Sequence, residues 1–200
     1  MLITRTIALV CLALAGLTLN AQPMSTATVG GGCFWCTEAI FQQVRGVSRV
    51  VSGYSGGHVK NPAYREVCNG TTGHAEVVQI TFDPDVITYA ELLEIFWKTH
   101  DPTTLNRQGN DRGPQYRSIV LAHDAEQRRT AQELKRSLDA ADIWDDPIVT
   151  EIVDFEVFYE AEVSHQDYYA RNKGSNPYCS MVITPKLEKF EKVFEDYLKD

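Results

Sequence analysis

Two thiols stand three residues apart in the run Gly30-Gly31-Gly32-Cys33-Phe34-Trp35-Cys36, after a short apolar stretch and at the start of an amphipathic one. A cysteine at a helix N-terminus faces free backbone N–H groups and the positive end of the helix dipole, and both favour a thiolate. The thiolate is the nucleophilic form of cysteine, so the placement points to redox or covalent sulfur chemistry. The glycines permit a tight turn and close approach of a substrate. Phe34 and Trp35 offer an apolar wall beside the sulfur. Taken singly, each residue has a plainer use, Cys33 as a small buried hydrophobe and the two rings as core. As a cluster they read better as a reactive site.

The elements that must position this run are legible in the periodicity. Thr26–Val29 reads as a strand, followed by a helix from Cys33 to Val44 and a β-branched strand over Val47–Gly53. A loop from Ser55-Gly56-Gly57-His58 through Asn61-Pro62 leads to a short helix over Ala63–Cys68. His74–Phe82 alternates as a strand does, closed by Asp83-Pro84. Thr88 and Glu91 form a capping box that opens a helix through Trp97. His100–Gln115 is a polar loop without periodicity, and loops of that length are often functional. Tyr116–Ala122 is a strand, Asp124 caps a helix towards Leu138, Ile148–Phe155 is a strand and Ala161–Ala170 a helix. Thr184-Pro185 opens the last helix, through Tyr197. No repeat or linker divides residues 25–200, which form a single domain. The expected class is α+β, a two-layer α/β sandwich with a mixed central sheet on a ferredoxin-like core.

A chain of 200 residues, 44% hydrophobic, suffices for one domain with a sizeable core. Its net charge of −8 and lack of a dense basic stretch argue against a nucleic-acid partner. Met1–Arg5 gives a basic start, and the apolar run from Thr6 to Leu19 is too short for a convincing membrane span. Residues 1–21 therefore read as a secretory signal cut after Ala21, making the protein exported, periplasmic and without stable membrane association. Initiation at Met24 would instead give a cytoplasmic chain. Cys11 leaves with the signal, so Cys33, Cys36, Cys68 and Cys179 remain. Four cysteines can form a disulfide framework, but a domain of this size needs no staples, and the Cys33/Cys36 spacing favours reactive thiols. Cys68 is expected to be structurally buried.

The remaining blocks carry a resemblance. Gly32-Cys33-Phe34-Trp35, Gly53-Tyr54-Ser55-Gly56-Gly57, Tyr64-Arg65-Glu66-Val67-Cys68 and Thr72-Gly73-His74-Ala75-Glu76-Val77 come first. His100-Asp101-Pro102-Thr103, Asn106-Arg107-Gln108-Gly109-Asn110-Asp111, Gln115-Tyr116-Arg117-Ser118 and His165-Gln166-Asp167-Tyr168 follow in order. Together, over residues 28 to 180, the chain resembles the A-type peptide methionine sulfoxide reductases. The resemblance implies reduction of methionine S-sulfoxide, free or in oxidised proteins, to methionine. Cys33 would attack the sulfoxide sulfur and be left as a sulfenic acid. Sulfoxide oxygen leaves poorly unless protonated, and a carboxylic acid kept neutral by burial can supply the proton. Glu76 matches that acid by resemblance, whereas an unassigned strand glutamate ordinarily faces solvent. Tyr64 and Tyr116 match phenols that hydrogen-bond the sulfoxide oxygen, though on position alone either could be a half-buried structural ring. Asp111 matches an orienting polar group, and Phe34 and Trp35 would hold the substrate methyl. His74, His100 and His165 read as structural or orienting.

The sulfenic acid must then meet a second thiol. Cys36 lies at i+3 on the same helical face, and Cys179, in Asn176-Pro177-Tyr178-Cys179, matches the family's C-terminal recycling cysteine. Many relatives carry glycine where Cys36 stands and a glycine-rich tail, whereas here Cys179 runs into a terminal helix. Cys36 is therefore ranked ahead of Cys179 as resolving thiol, with a relay through both allowed. A thioredoxin-like reductant would empty the disulfide, with no metal or nucleotide cofactor and a monomeric enzyme. A thiol–disulfide oxidoreductase using Cys33/Cys36 is the alternative. A zinc module of Cys33, Cys36, Cys68 and His74 lacks a second ligand pair, and Thr37 stands where a haem-attachment motif needs histidine.

Overall fold

A computed structural model describes residues 23–199; the expected signal segment, residues 1–21, lies outside them. In chain order the elements are β1 (Ser25–Gly31), α1 (Phe34–Phe41), β2 (Val47–Ser55), α2 (Tyr64–Cys68), β3 (Ala75–Phe82) and α3 (Tyr89–Lys98). They continue with β4 (Arg107–Gln108), β5 (Asp111–Arg112), β6 (Ser118–Ala122), α4 (Ala125–Ala140), β7 (Glu151–Asp154), β8 (Tyr159–Glu160), α5 (Tyr168–Asn172) and α6 (Thr184–Val193).

The main sheet runs β7-β6-β1-β3-β2-β8. Pairings β1/β3, β1/β6, β2/β3 and β2/β8 are antiparallel and β6/β7 is parallel, so the sheet is mixed. Its centre, β1-α1-β2-β3-α3-β6 in sequence and β6-β1-β3-β2 in space, is the ferredoxin-like arrangement. One sheet face packs Val29, Val78, Ile80, Phe82 and Val120 into the main core beneath the helices, with Phe41, Leu93 and Phe190 among its members. The opposite face carries Val77, Ile119 and Leu121 under Phe155 and Phe158. Alternation along β3 thus puts Glu76 on the helix side with Val78, Ile80 and Phe82.

Two glycines let β1 deliver Cys33. Gly31 lies so close to the His100 ring that a Cβ would stand 2.9 Å from it. Gly32 has φ +93° and abuts Gln108, so a side chain there would meet both strain and a clash. The chain then enters α1, which ends at Phe41 rather than Val44 because Val44 is drawn into a bridge with Leu198. Thr88 caps α3 as expected: its hydroxyl accepts from Glu91 N–H while Glu91 accepts from Thr88 N–H at 2.8 Å.

The expected helix over Ala161–Ala170 does not form. Gln166 is held extended because its side chain stands in for a strand against β2, accepting from Ser52 N–H at 3.0 Å and donating to Ser52 C=O at 2.8 Å. Asp167 then turns left-handed, φ 51°, and helix begins only at Tyr168. The polar loop His100–Gln115 holds the small β4/β5 hairpin, which carries Asp111. The last helix is broken at Phe194, with a separate 3-10 turn over Glu195–Tyr197.

Candidate active site

Cys33 caps the N-terminus of α1 and is 8% exposed; Cys36, one turn on, is 3% exposed. The Trp35 N–H reaches the Cys33 sulfur, but burial and the nearby Glu76 outweigh it and hold the Cys33 thiol well above its ordinary value. The thiolate advantage expected of Cys33 falls instead to Cys36. The Cys33 thiol donates to Cys36, and Lys186 and the Tyr178 hydroxyl add to the stabilisation, drawing its pKa down. When the pair holds a single proton, the direction of both shifts puts it on Cys33.

Glu76 is 1% exposed, at the end of β3 opposite Tyr54. Its Oε2 accepts from the Phe34 N–H at 3.1 Å, a free donor of the first turn of α1, while Oε1 has no partner. Burial pushes its pKa up to about 8 despite that hydrogen bond, with Asp111 and Cys36 adding to the rise. The carboxyl is protonated at neutral pH, so Oε1 can carry a proton with nothing to give it to.

Around this pair stands an aromatic wall. Phe34 packs on Tyr54 and Tyr64 with centroids 5.8 and 6.4 Å apart, and Trp35 lies flat on Tyr168 at 3.6 Å and 6°. Burial raises the Tyr64 and Tyr116 phenols, so both remain neutral donors. Tyr64 rests its hydroxyl on Cys68, which is half-buried rather than enclosed in the core as expected. Asp111 accepts from the Tyr178 hydroxyl at 2.7 Å, and that oxygen lies 3.9 Å from the Cys36 sulfur. A cleft of about 290 Å³ opens over Cys33 and Cys36, bordered by Asp111, Tyr178, Met181 and Lys186.

The structure therefore brings Cys33, Phe34, Trp35, Cys36, Tyr64, Glu76, Asp111 and Tyr116 together. Cys179 is fully buried beneath them, close enough to Cys36 for their charges to interact, in a π-helical turn, Cys179–Ile183, that leads into α6. His74 is occupied structurally: its Nδ1 accepts from Gly57 N–H at 3.1 Å and Nε2 donates to Val59 C=O at 2.7 Å. Three neighbours escaped the sequence reading. Tyr178 and Tyr168 fill the wall, and their signal was present in the blocks that hold Cys179 and His165. Glu38, buried on α1, accepts from Tyr168 N–H at 3.3 Å and so fixes the ring that covers Trp35.

A thiol at the start of a helix, a second thiol one turn away and a buried carboxyl among aromatic rings fit a thiol-based reductase of oxidised sulfur. The family model described as peptide methionine sulfoxide reductase matches residues 25–198. The peptide methionine sulfoxide reductase MsrA of Saccharolobus solfataricus is 59% identical over 88% of this chain and 98% of its own. The reduced form of Mxr1 from Saccharomyces cerevisiae superposes with a TM-score of 0.71 at 33% identity, covering 80% of this chain and 93% of that one. Mxr1 in complex with Trx2 aligns with a TM-score of 0.51 at 25% identity, covering 76% of this chain and 91% of that one. The chain belongs to the peptide methionine sulfoxide reductase family. Its activity is the thiol-dependent reduction of methionine sulfoxide to methionine.

Proposed function

We propose that Cys33 is the nucleophile, Glu76 the proton donor and Cys36 the first resolving thiol in reduction of methionine S-sulfoxide. The observation that carries this reading is the unpartnered Oε1 of Glu76, held beside Cys33 by the Phe34 N–H. Cys33 passes its proton to the Cys36 thiolate as its sulfur attacks the sulfoxide sulfur. Glu76 protonates the sulfoxide oxygen, whose bond to the substrate sulfur breaks. The oxygen takes a second proton from the Cys36 thiol and leaves as water. A water then attacks the Cys33 sulfur, breaks its bond to the methionine sulfur and returns its proton to Cys36. Cys33 is left as a sulfenic acid, so methionine sulfur gains two electrons and cysteine sulfur loses two. The Cys36 thiol then displaces that oxygen as water and forms a Cys33–Cys36 disulfide. Tyr64 and Tyr116 donate to the oxygen throughout, Asp111 orients Tyr178, and Phe34 and Trp35 enclose the methyl group.

Cys179 acts second, through exchange with Cys36. Its burial within the π-helical turn supports this order, since that turn must loosen before the sulfur can move. The Trx2 complex of the yeast relative supports a thioredoxin-like electron donor. The basic start and apolar run of residues 1–19 support an exported enzyme. Mass spectrometry after one sulfoxide turnover without reductant tests the order. A Cys33–Cys36 bond forming first in wild type and a persistent sulfenic acid in Cys36→Ser are expected. A Cys33–Cys179 bond with Cys36→Ser cycling normally would overturn it.

A further inference from the structure

An apolar groove beside the site is not part of the sulfur chemistry. It encloses about 490 Å³ between α3, the Trp144 loop and α6, and runs into the active-site cleft, because Gln108 and Lys186 border both. Trp97, Trp144, Phe190 and Phe194 line it. Three lysines, Lys98, Lys186 and Lys189, line it on a chain whose net charge is −8. Lys98 is paired with Glu94, but Lys186 and Lys189 have no ion-pair partner among the described residues. The groove's one carboxylate, Asp101, is already tied to Thr103 N–H and hydroxyl at 2.9 and 2.6 Å.

A methionine sulfoxide seated over Cys33 in a protein substrate must have its flanking chain leave the cleft. An extended chain covers about 3.3–3.6 Å per residue, so the adjoining groove lies within reach of the nearest flanking residues. Its mixture of aromatic surface and unpaired ammonium groups matches side chains of one composition, apolar or aromatic next to acidic. We propose that this groove binds the segment flanking the oxidised methionine in protein substrates and favours segments that carry acidic and aromatic residues. The proposal rests on Cys33 being the catalytic thiol, because that thiol fixes where the flanking chain begins.

The test uses the full-length enzyme with dithiothreitol as reductant and two peptides that differ only beside the methionine sulfoxide, Asp-Phe in one and Lys-Phe in the other, each in both orders. The expected result is a kcat/KM about three- to fivefold higher for the acidic peptide at low ionic strength, as suits exposed charge pairs, fading as salt screens them. Lys189→Glu, on an exposed residue outside the chemistry, should cancel or reverse that preference and leave turnover of N-acetylmethionine sulfoxide unchanged. Equal kcat/KM for both peptides in wild type, or a preference untouched by Lys189→Glu, would overturn the proposal. So would a Lys189→Glu effect confined to the KM for a thioredoxin, which would give the groove to the reductant. N-acetylmethionine sulfoxide turnover surviving Cys33→Ser would defeat the catalytic assignment instead, so the two failures are distinguishable.

Discussion

Two buried polar residues border the glycines of β1, His100 at Gly31 and Glu76 at Gly30, and they are treated oppositely. His100 Nδ1 donates to Phe96 C=O at 2.6 Å, and Nε2 is 2.7 Å from the Ser118 hydroxyl. Ser118 is 2.8 Å from Thr150 Oγ1, which accepts from the Trp97 indole at 3.2 Å. Because a carbonyl only accepts, the direction of every proton follows: Trp97 to Thr150 to Ser118 to His100 to Phe96. Burial lowers the pKa of His100 to about 4, so the ring is neutral and its two nitrogens are both satisfied. In the candidate site, by contrast, Glu76 Oε1 and the Trp35 indole nitrogen are buried with no partner at all. A satisfied chain rigidifies, whereas an unsatisfied buried donor costs roughly 1–3 kcal/mol and persists where a substrate completes it.

The two residues also oppose one another in pH. Glu76, raised from 4.5 to about 8, destabilises the fold increasingly as pH rises through that window, because only the unfolded chain ionises there. His100, lowered from 6.5 to about 4, destabilises it as pH falls through its own window, because only the unfolded chain gains the proton.

The largest effect should come from removing the orphan acid. Glu76→Gln is expected to slow single-turnover methionine formation, followed by rapid quench, about 10²–10⁴-fold. The same change should raise stability at pH 9 by about 1–2 kcal/mol in calorimetry, since a buried carboxylate no longer has to ionise. Loss of activity without that gain would break the contrast. Ser118→Ala should do the reverse. It strands His100 Nε2 and the Thr150 hydroxyl, lowering stability by about 1–3 kcal/mol in denaturant titration, while the single-turnover rate of folded enzyme moves less than about threefold.

A smaller effect concerns proton supply. The wild-type single-turnover rate should fall as pH rises past about 8, where Glu76 loses its proton, and the residual rate of Glu76→Gln should lack that limb. Smallest is Tyr178→Phe. Its hydroxyl helps hold Cys36 as a thiolate, so the pH midpoint for Cys36 alkylation should move up and disulfide formation slow by about two- to tenfold. Methionine formation in the first turnover should change less.

Much of this division was legible in the sequence, and the lapses share a cause. Thr88 and Glu91 announced their capping box because both partners are local. The placement of Glu76 was also encoded, in its alternation with Val78, Ile80 and Phe82, although its chemical role rested on the resemblance. What could not be read was non-local. Gln166 breaks a plausible helix to pair with Ser52, far away in the chain, and Val44 leaves α1 to meet Leu198. The acidity of Cys36 was hidden in part for the same reason. Helix position favoured Cys33, but the hydrogen bond from the Cys33 thiol lowers its neighbour, helped by Lys186 and Tyr178 from elements far apart in sequence, while burial holds Cys33 up.

Glu76 rests protonated at neutral pH with one oxygen unclaimed. Infrared difference spectra of wild type against Glu76→Gln, recorded across pH 5 to 10, read that proton directly. A protonated carboxyl C=O band present at pH 7 in wild type alone, lost with a midpoint near 8, is the predicted result. A Glu76 already ionised at pH 6, with only the carboxylate band in the difference spectrum, would contradict it.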